Sequence, residues 1–311
     1  MPALKDNLER IPCIICGGDV FETVSDLDRH GIPIKTVCCA RCGLIFVNPR
    51  PNEAWIADFY RNHYRELYEE VTTPTREYAE RPIMTWKHTQ AIQLVSAFLP
   101  DRGNLLDIGA AEGTFLRLFR DEFADWQLAG IEPNARFVEF AKEEYGIDGI
   151  EVGLFPKDLE NSENFDLIHT SHVLEHILDP LAFLAACRER LADRGLIYVE
   201  VPNALNFRKS HRSAHIAHLF HYDPHSLHAL LAKAGFEVLE LRDDLVVPSR
   251  KKEREMPLNL MALARKADGE VPGPEGRSRE EIRRNVRRLR RQWRMPLLKR
   301  LRLAIRPKFN A

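Results

Sequence analysis

The arrangement of apolar and polar residues changes abruptly near residue 110. A short apolar run at 105–108 includes one acid, Asp107, and leads into a turn that contains Gly109 and Gly113. Apolar residues then recur at helical spacing between Phe115 and Phe123. A short continuous apolar run is typical of a buried strand, and the helical period is typical of an amphipathic helix. This stretch is therefore predicted to be a strand, a tight loop and a helix.

The same alternation of strand and helix patterns extends through the middle of the chain. Asp-Pro pairs at 179–180 and 223–224 each supply a helix N-cap followed by the residue best suited to a first helical turn. Strands are expected at 126–132, 150–152, 164–168, 195–201, 236–241 and 258–264, and helices at 75–99, at 134–145 and after each Asp-Pro pair. Alternating strands and helices predict an α/β fold.

The loop after the first of these strands and an acid at the end of the second indicate a bound nucleoside. Gly109 and Gly113 let the backbone turn sharply and approach a ligand closely. Glu132 ends the second strand, where a carboxylate can accept hydrogen bonds from both hydroxyls of a ribose. The loop has neither the Gly-Lys-Ser/Thr of a phosphate cradle nor a full Gly-x-Gly-x-x-Gly spacing. Asp107 would repel a pyrophosphate and attract a cationic ligand that carries an amino group.

Together these motifs resemble those of class I S-adenosylmethionine-dependent methyltransferases. The resemblance includes 106–113, which reads Leu-Asp-Ile-Gly-Ala-Ala-Glu-Gly, together with Glu132, 164–168, 171–176 and 195–203. Ala111 stands where many members carry a glycine. The resemblance implies a Rossmann-like seven-stranded sheet with an antiparallel hairpin at its edge, S-adenosylmethionine as the cofactor, and methyltransferase activity. The cofactor-binding residues that it implies are Asp107, Gly109, Ala110, Gly113, Phe115, Glu132, Pro133, Gly153, Leu154 and Ser171.

Four of the six cysteines form two pairs with the spacing of a zinc knuckle. Cys13 and Cys16 make the first Cys-x-x-Cys pair, and Cys39 and Cys42 make the second. Four thiolates from two such knuckles match tetrahedral zinc, and a site with four protein ligands is structural rather than catalytic. Cys38 breaks this spacing and is interpreted as a packed thiol. We predict an N-terminal zinc ribbon over 1–51 that has a core of its own.

The residues that follow the second knuckle carry a further resemblance. The run at 42–51, Cys-Gly-Leu-Ile-Phe-Val-Asn-Pro-Arg-Pro, is similar to bacterial methyltransferases with an N-terminal zinc module, among them enzymes that methylate sugars. This resemblance implies methylation of an oxygen or a carbon of a small polar acceptor, a sugar or another glycan-pathway metabolite. An RNA methyltransferase and a cofactor-binding scaffold without turnover remain alternatives. Residues 52–100 read as a helical segment that caps the active site.

Histidines are concentrated between residues 211 and 228, where six of the twelve occur. By the resemblance to the sugar methyltransferases, this connection covers the acceptor, and His218 matches a histidine that handles protons. The tyrosine and glutamate that accompany it there are replaced in this sequence. His218 is the first candidate for a catalytic base and His172 is the second. If the turn there is helical, His172, Glu175 and His176 share one face, where they could move protons or bind a divalent ion. Both roles stay open.

The formal net charge of −1 hides a strongly basic C-terminal end. Residues 277–311 hold fourteen basic and two acidic residues, whereas the rest of the chain holds 31 basic and 44 acidic ones. Beyond a linker at 266–280, apolar residues recur at helical spacing among arginines; they are Ile282, Val286, Leu289 and Trp293. This amphipathic tail, 281–311, could dock on the protein itself, join a homodimer or contact an anionic membrane surface. Nucleic acid is a weaker alternative.

Neither a signal sequence nor a membrane-spanning run is evident. The start, Met-Pro-Ala-Leu-Lys-Asp, lacks the basic and apolar regions of a signal peptide, and no apolar run reaches spanning length. The protein is therefore expected in the cytoplasm, with peripheral contact at a membrane as the alternative. The expected organisation is a zinc ribbon at 1–51, the capping segment at 52–100, the methyltransferase domain at 101–265, the linker and the tail.

Overall fold

The computed structural model describes residues 3–62, 73–161, 163–205, 215–243 and 259–294. The distal part of the predicted tail, 295–311, and His211 lie outside these ranges. The described strands are β1 (Leu8–Glu9), β2 (Phe21–Ser25), β3 (Thr36–Cys39), β4 (Ile45–Val47), β5 (Arg50–Pro51), β6 (Asn104–Ile108), β7 (Gln127–Glu132), β8 (Ile150–Val152), β9 (Phe165–Ser171), β10 (Leu191–Pro202), β11 (Phe220–His221), β12 (Phe236–Arg242) and β13 (Asn259–Lys266). The described α-helices are α1 (Glu53–Asn62), α2 (Arg76–Ala79), α3 (Pro82–Ser96), α4 (Thr114–Glu122), α5 (Ala135–Tyr145), α6 (Pro180–Arg190), α7 (Pro224–Lys233) and α8 (Arg279–Gln292).

A seven-stranded mixed sheet forms the centre of the molecule. Its order is β12-β13-β10-β9-β6-β7-β8. The five strands β10, β9, β6, β7 and β8 run parallel to one another. Strand β13 is antiparallel to both β10 and β12, which confirms the antiparallel hairpin at the sheet edge. Because the carboxyl ends of parallel strands meet at one edge, the segments that follow β6, β7, β9 and β10 converge there.

The helix predicted at 75–99 is broken into two. Helix α2 ends at Ala79, and α3 begins at Pro82. A proline lacks the backbone N–H that a continuous helix needs, and its ring disfavours helical geometry in the residue before it. Pro82 therefore starts a helix instead of lying inside one, as it can in a first helical turn.

A smaller antiparallel sheet lies beside the cysteine pairs and includes one of the four cysteines, Cys39, at the end of β3. Its order is β11-β4-β3-β2, so the strand at one edge comes from far along the chain. Phe220 and His221 of β11 lie opposite Phe46 and Ile45 of β4. The histidine-rich connection after β10 therefore completes the N-terminal sheet, a pairing that the sequence pattern did not predict.

The cysteine-containing region does not have the separate core that we expected. One apolar cluster includes Cys13, Cys39 and Phe46 together with Ile168 and Phe220, and thus continues from the small sheet into the large one. The physical reason is that the connection after β10 pairs with β4 and buries Leu219, Phe220 and Tyr222 in the same cluster as residues of the large sheet.

The first part of the basic tail packs on the small sheet. Helix α8 buries the apolar stripe that its spacing predicted, against Val24, Cys38 and Ile45. Cys38 thus lies in an apolar contact on the face of β3 away from the cysteine cluster. Across the described residues, no helix combines the length and apolar character that crossing a membrane would require. The predicted homodimer and membrane contacts stay predictions.

Candidate functional site

The loop after β6 has a backbone shape that requires small residues. Gly109 and Gly113 have φ angles of 77° and 76°. A Cβ on Gly109 would lie 2.6 Å from Val173 Cγ2, so the loop leaves no space for a side chain there. Ala111 has a φ of 47°, which is strained for a residue with a Cβ. Its backbone therefore adopts a conformation that favours glycine, the residue that the resemblance implies at this position.

Glu132 lies beside this loop at the carboxyl end of β7. Its side chain is almost completely buried. The Ala111 N–H donates to Oε2 over 3.2 Å, and the Asn134 N–H donates to Oε1 over 2.9 Å. A carboxylate in this position is a chemically suitable acceptor for ribose hydroxyls. Pro133, next to it, is exposed.

Asp107 and Phe115 both contact a buried histidine, His169 on β9. His169 Nδ1 lies 2.6 Å from Asp107 Oδ1. The Phe115 ring stacks on one face of the imidazole at 3.5 Å between centroids, and Tyr198 is parallel to it at 5.1 Å. These contacts fix the orientation of Asp107 at the start of the loop. The direct cofactor contacts predicted for Asp107 and Phe115 stay predictions.

The predicted adenine-binding segment follows β8. Gly153 cannot carry a side chain, because a Cβ would lie 2.4 Å from the Asp158 Cβ. Val152 and Leu154 on either side of it are large apolar side chains that are more than half exposed, at 54% and 60%. Exposed apolar side chains beside a nucleoside loop are suited to contact an adenine ring.

Ser171 at the end of β9 takes part in a polar network that the sequence did not predict. Lys87 Nζ on α3 donates to Ser171 Oγ over 2.9 Å and lies 3.4 Å from Glu200 Oε1 on β10. Burial would raise the pKa of Glu200, but the positive charge of Lys87, the electrostatic effect of the His172 imidazole and a hydrogen bond from Asn259 lower it below its ordinary value. Lys87 therefore connects α3 to an ionised carboxylate at the carboxyl ends of the parallel strands.

His172 is the more accessible of the two candidate bases. Its side chain is 38% exposed, and its φ is 57°, an unusual value for a residue with a Cβ. Nδ1 lies 3.2 Å from the buried Glu175 Oε1, and Nε2 lies 3.2 Å from the Asn259 amide nitrogen. Since an amide nitrogen can only donate, Nδ1 carries the proton and Nε2 carries the lone pair.

His218 lies deeper, in a group of imidazoles around the same glutamate. Its Nε2 is 3.9 Å from Glu175 Oε1, and its ring centroid is 4.7 Å from that of His176. Burial lowers the pKa values of His218, His176 and His215 below the ordinary histidine value and lowers that of His221 to about 3. These histidines are therefore neutral at pH 7.

The four predicted cysteine ligands converge. Cys13 Sγ lies 3.4 Å from Cys42 Sγ, Cys16 Sγ lies 3.5 Å from Cys39 Sγ, and the four sulfurs are all within 4.8 Å of one another. Tetrahedral zinc with Zn–S bonds of about 2.3 Å requires sulfurs about 3.8 Å apart, so the donor set fits. Hydrogen bonds from Cys13 and Cys42 lower the pKa of Cys39, which favours a thiolate there.

A family model described as a methyltransferase domain matches residues 76–241, which is more than half of the chain. The chain belongs to this methyltransferase family. The match begins at α2 and runs to the end of β12, and it includes the glycine loop, Glu132 and His172. The protein therefore contains a class I S-adenosylmethionine-dependent methyltransferase domain.

Three curated relatives named ubiquinone biosynthesis O-methyltransferase, all from Cereibacter sphaeroides, are 32% identical to this methyltransferase-family chain over 114 residues. That alignment covers 35% of the chain and 45% of each relative. Among solved structures, the CcbJ methyltransferase from Streptomyces caelestis is 14% identical, with a TM-score of 0.47 over 67% of this chain and 98% of that one. An S-adenosylmethionine-dependent methyltransferase from Mesorhizobium loti is 17% identical, with a TM-score of 0.45 over 56% of this chain and 96% of that one.

The sequence did not predict four residues that contact the candidate site residues from other elements: His169, Glu200, Lys87 and Asn259. His169 and Glu200 each interrupt an apolar strand pattern, and an ionisable residue in a buried strand is itself a signal of a polar partner. Lys87 and Asn259 gave no comparable signal. Their roles depend on α3 and β13 lying against the sheet edge, which the linear pattern does not specify.

Proposed function

We propose that the protein transfers the methyl group of S-adenosylmethionine to a hydroxyl oxygen of a small polar acceptor, with His172 as the general base. When bound, S-adenosylmethionine supplies an electrophilic methyl group on a sulfonium. The loop at 109–113 and Glu132 would hold it, and Gly153 and Leu154 would contact its adenine. The observation that carries the proposal is the His172–Glu175 pair at the sheet edge, beside this loop.

The pair is suited to removing a hydroxyl proton. Glu175 accepts from Nδ1–H and thereby fixes the tautomer whose Nε2 can accept a proton. Burial would raise the pKa of Glu175, but the hydrogen bond from His172, together with the electrostatic effect of the neighbouring His176 and His172 imidazoles, outweighs burial and lowers it. An ionised Glu175 also stabilises the imidazolium that forms when Nε2 takes the proton. An acceptor hydroxyl would displace the Asn259 amide from Nε2.

His172 is preferred to His218 because an acceptor can reach it. The His218 side chain is 15% exposed, compared with 38% for His172. Val173, the next residue, contacts the glycine loop, since a Cβ on Gly109 would lie 2.6 Å from it. A base adjacent to the loop is adjacent to the place where the methyl donor is expected.

The acceptor class rests on two supports of different kinds. The names of the curated relatives describe O-methylation, which agrees with a base that accepts a hydroxyl proton. The resemblance of 42–51 to sugar-methylating enzymes favours a sugar or another glycan-pathway metabolite. The cysteine cluster would hold a structural zinc ion, because its four sulfurs match the spacing of that ion.

The test compares His172→Ala with the parent protein. We expect turnover to fall by roughly 10²–10⁴, the usual contribution of general acid–base catalysis, while calorimetry shows unchanged S-adenosylmethionine affinity. His228→Ala, on α7, is the matched control and should keep full turnover. Transfer of labelled methyl groups to nucleotide sugars, phenols and an RNA oligonucleotide identifies the acceptor. Full turnover in His172→Ala would contradict the assignment, and loss of turnover in His218→Ala alone would move the base to His218.

A further inference from the structure

The histidine that completes a ligand set around Glu175 is not the one that the sequence pattern suggested. Within the described ranges, the ligand atoms of Glu175, His176 and His218 all lie within 4.8 Å of one another. His172, which shares the His-x-x-Glu-His run, is not a member of this set. Its φ of 57° turns it away from the helical course that would place it there. The backbone at 215–221 supplies the third member instead.

We propose that Glu175, His176 and His218 bind one divalent first-row transition-metal ion, separate from the cysteine cluster. Two imidazole nitrogens and one carboxylate form a set suited to ions such as Mn²⁺, Fe²⁺, Co²⁺ or Zn²⁺. Mg²⁺ is disfavoured because it prefers oxygen ligands. Three protein ligands would leave coordination positions for water or an acceptor oxygen.

The distances are close to those of a bound site. Glu175 Oε1 lies 3.9 Å from His176 Nε2 and 3.9 Å from His218 Nε2. Metal–ligand bonds of about 2.1 Å require donor atoms about 3.0–3.4 Å apart, so each imidazole nitrogen needs to approach the carboxylate oxygen by under about 1 Å. The His176 and His218 side chains are 14% and 15% exposed, which leaves a route for an ion from solvent.

The tautomer of His176 is set for coordination. Its Nδ1 lies 2.9 Å from the Ala217 carbonyl oxygen and 2.7 Å from the Tyr60 hydroxyl. A carbonyl oxygen can only accept, so Nδ1 carries the proton and Nε2 carries the lone pair that faces Glu175. Metal-ligating histidines commonly donate their second ring N–H to a backbone carbonyl in this way.

The carboxylate has spare capacity for a cation. Glu175 is 1% exposed, and Oε2 has no hydrogen-bond partner among the described residues. A buried carboxylate oxygen without a partner is costly unless a cation or a donor satisfies it. Oε1 accepts from His172 through one lone pair and has a second for the ion, and Oε2 can bind the same ion.

The position of the third ligand depends on the small sheet. The Leu219 N–H donates to the Glu175 carbonyl oxygen, and the Leu219 carbonyl oxygen accepts from the Val47 N–H, each over 2.8 Å. His218 is therefore held between the turn at Leu174–His176 and strand β4. This backbone arrangement orients the ligands before any ion binds.

The test measures metal binding, not turnover, so its outcome is independent of the proposed reaction. The full chain is dialysed against a weak chelator, its zinc content is measured, and Mn²⁺ is titrated while electron paramagnetic resonance reports the free ion. Mn²⁺ is chosen because thiolate sites bind it poorly. We expect one Mn²⁺ per chain in the parent, at least tenfold weaker binding in Glu175→Gln and in His218→Ala, and unchanged stoichiometry in His172→Ala.

Two further readouts keep the experiment decisive. If zinc already fills the site, metal analysis should give two zinc ions per chain in the parent and one in His218→Ala. If a variant is destabilised, Mn²⁺ should raise the melting temperature of the parent and not that of the more conservative Glu175→Gln. Absence of both Mn²⁺ binding and a second zinc ion in the parent, or parental affinity in His218→Ala, would overturn the proposal.

Discussion

The cysteine cluster and the Glu175–His176–His218 cluster are both small groups of metal-ligand side chains, but they are built in different ways. In the cysteine cluster, two short knuckles each bring a pair of ligands together by local turns. Gly17 and Gly43, with φ angles of 70° and 82°, provide those turns, and their N–H groups donate to the Cys13 and Cys39 carbonyl oxygens. In the histidine cluster, two ligands adjacent in sequence meet a third only because β11 joins β4.

This difference predicts which part of the molecule each cluster depends on. A cluster made of local turns needs only its own segment, together with the contact between its two halves. A cluster made of distant segments needs the sheet that brings them together, and any change that separates β11 from β4 should disturb it. The two clusters are nevertheless linked, because Cys39 and Phe220 belong to one apolar cluster.

Cys39→Ser should have the largest effect. Removing one thiolate should abolish structural zinc binding, which in small zinc modules corresponds to about 10–16 kcal/mol of apparent binding free energy. Because Cys39 shares an apolar core with the seven-stranded sheet, we expect calorimetry to show that the whole chain loses stability in a single transition. Metal analysis should show loss of one zinc ion.

Cys38→Ala is the control for Cys39→Ser. Cys38 lies next to Cys39 on β3 but packs on α8, so this variant should keep its zinc. A zinc content equal to that of the parent in Cys39→Ser would contradict the cysteine site, and a separate high-temperature transition at the parental temperature would show that the two regions unfold independently.

Phe220→Ala tests the tertiary link without touching a ligand. Phe220 is 1% exposed and stacks between Phe46 and Tyr222, so truncation should cost about 3–5 kcal/mol of unfolding free energy. Loss of the Phe220 ring should also displace the neighbouring His218 and so weaken Mn²⁺ binding, while the cysteine cluster keeps its zinc. Denaturant unfolding and the Mn²⁺ titration check both effects.

An exposed phenylalanine serves as the comparison for Phe220. Phe98 is 43% exposed, and Phe98→Ala should change stability by under about 0.5 kcal/mol. Parental Mn²⁺ affinity in Phe220→Ala would mean that the third ligand is positioned without the pairing of β11 and β4.

Glu132→Ala should have a smaller and more local effect, because this residue lies in neither cluster. It would remove the proposed acceptor of ribose hydroxyl hydrogen bonds, each worth about 1.5–3 kcal/mol when the acceptor is charged. S-adenosylmethionine affinity measured by calorimetry should fall by at least about tenfold, with zinc and Mn²⁺ stoichiometry unchanged.

Glu139→Ala, at an exposed position on α5, should leave the cofactor affinity unchanged. If Glu132→Ala binds S-adenosylmethionine as tightly as the parent, the ribose assignment is wrong.

Much of the proposed cofactor-binding part of the site, the loop at 109–113 and Glu132, could be predicted from the sequence because its signals are local. A strand, a glycine turn and a helix occupy adjacent residues, and Glu132 is only one strand away. The break at Pro82 shows the limit of periodicity, since the apolar pattern continues through a residue that cannot continue a helix. His169 was missed as the partner of Asp107 because the two are 62 residues apart and meet only across β6 and β9.

The residues around the proposed base, His172, could be predicted less well, because their arrangement depends on tertiary structure. The sequence pattern grouped His172, Glu175 and His176 on one face, but the turn there is a short 3-10 turn with His172 outside it. Lys87 and Asn259 reach the site from α3 and β13, and neither position has a sequence signal for that role.

By itself, the sequence determined the α/β class, the glycine loop, the acid at the end of the second strand and the spacing of the four cysteines. Each depends on residues close together in the chain, where backbone geometry and side-chain period suffice. Only the tertiary structure decided that one core spans both sheets, that α8 packs on the small sheet, and that His218 joins Glu175 and His176. These features depend on pairings between distant strands, whose register and partners are set by the burial of the whole molecule and not by any one segment.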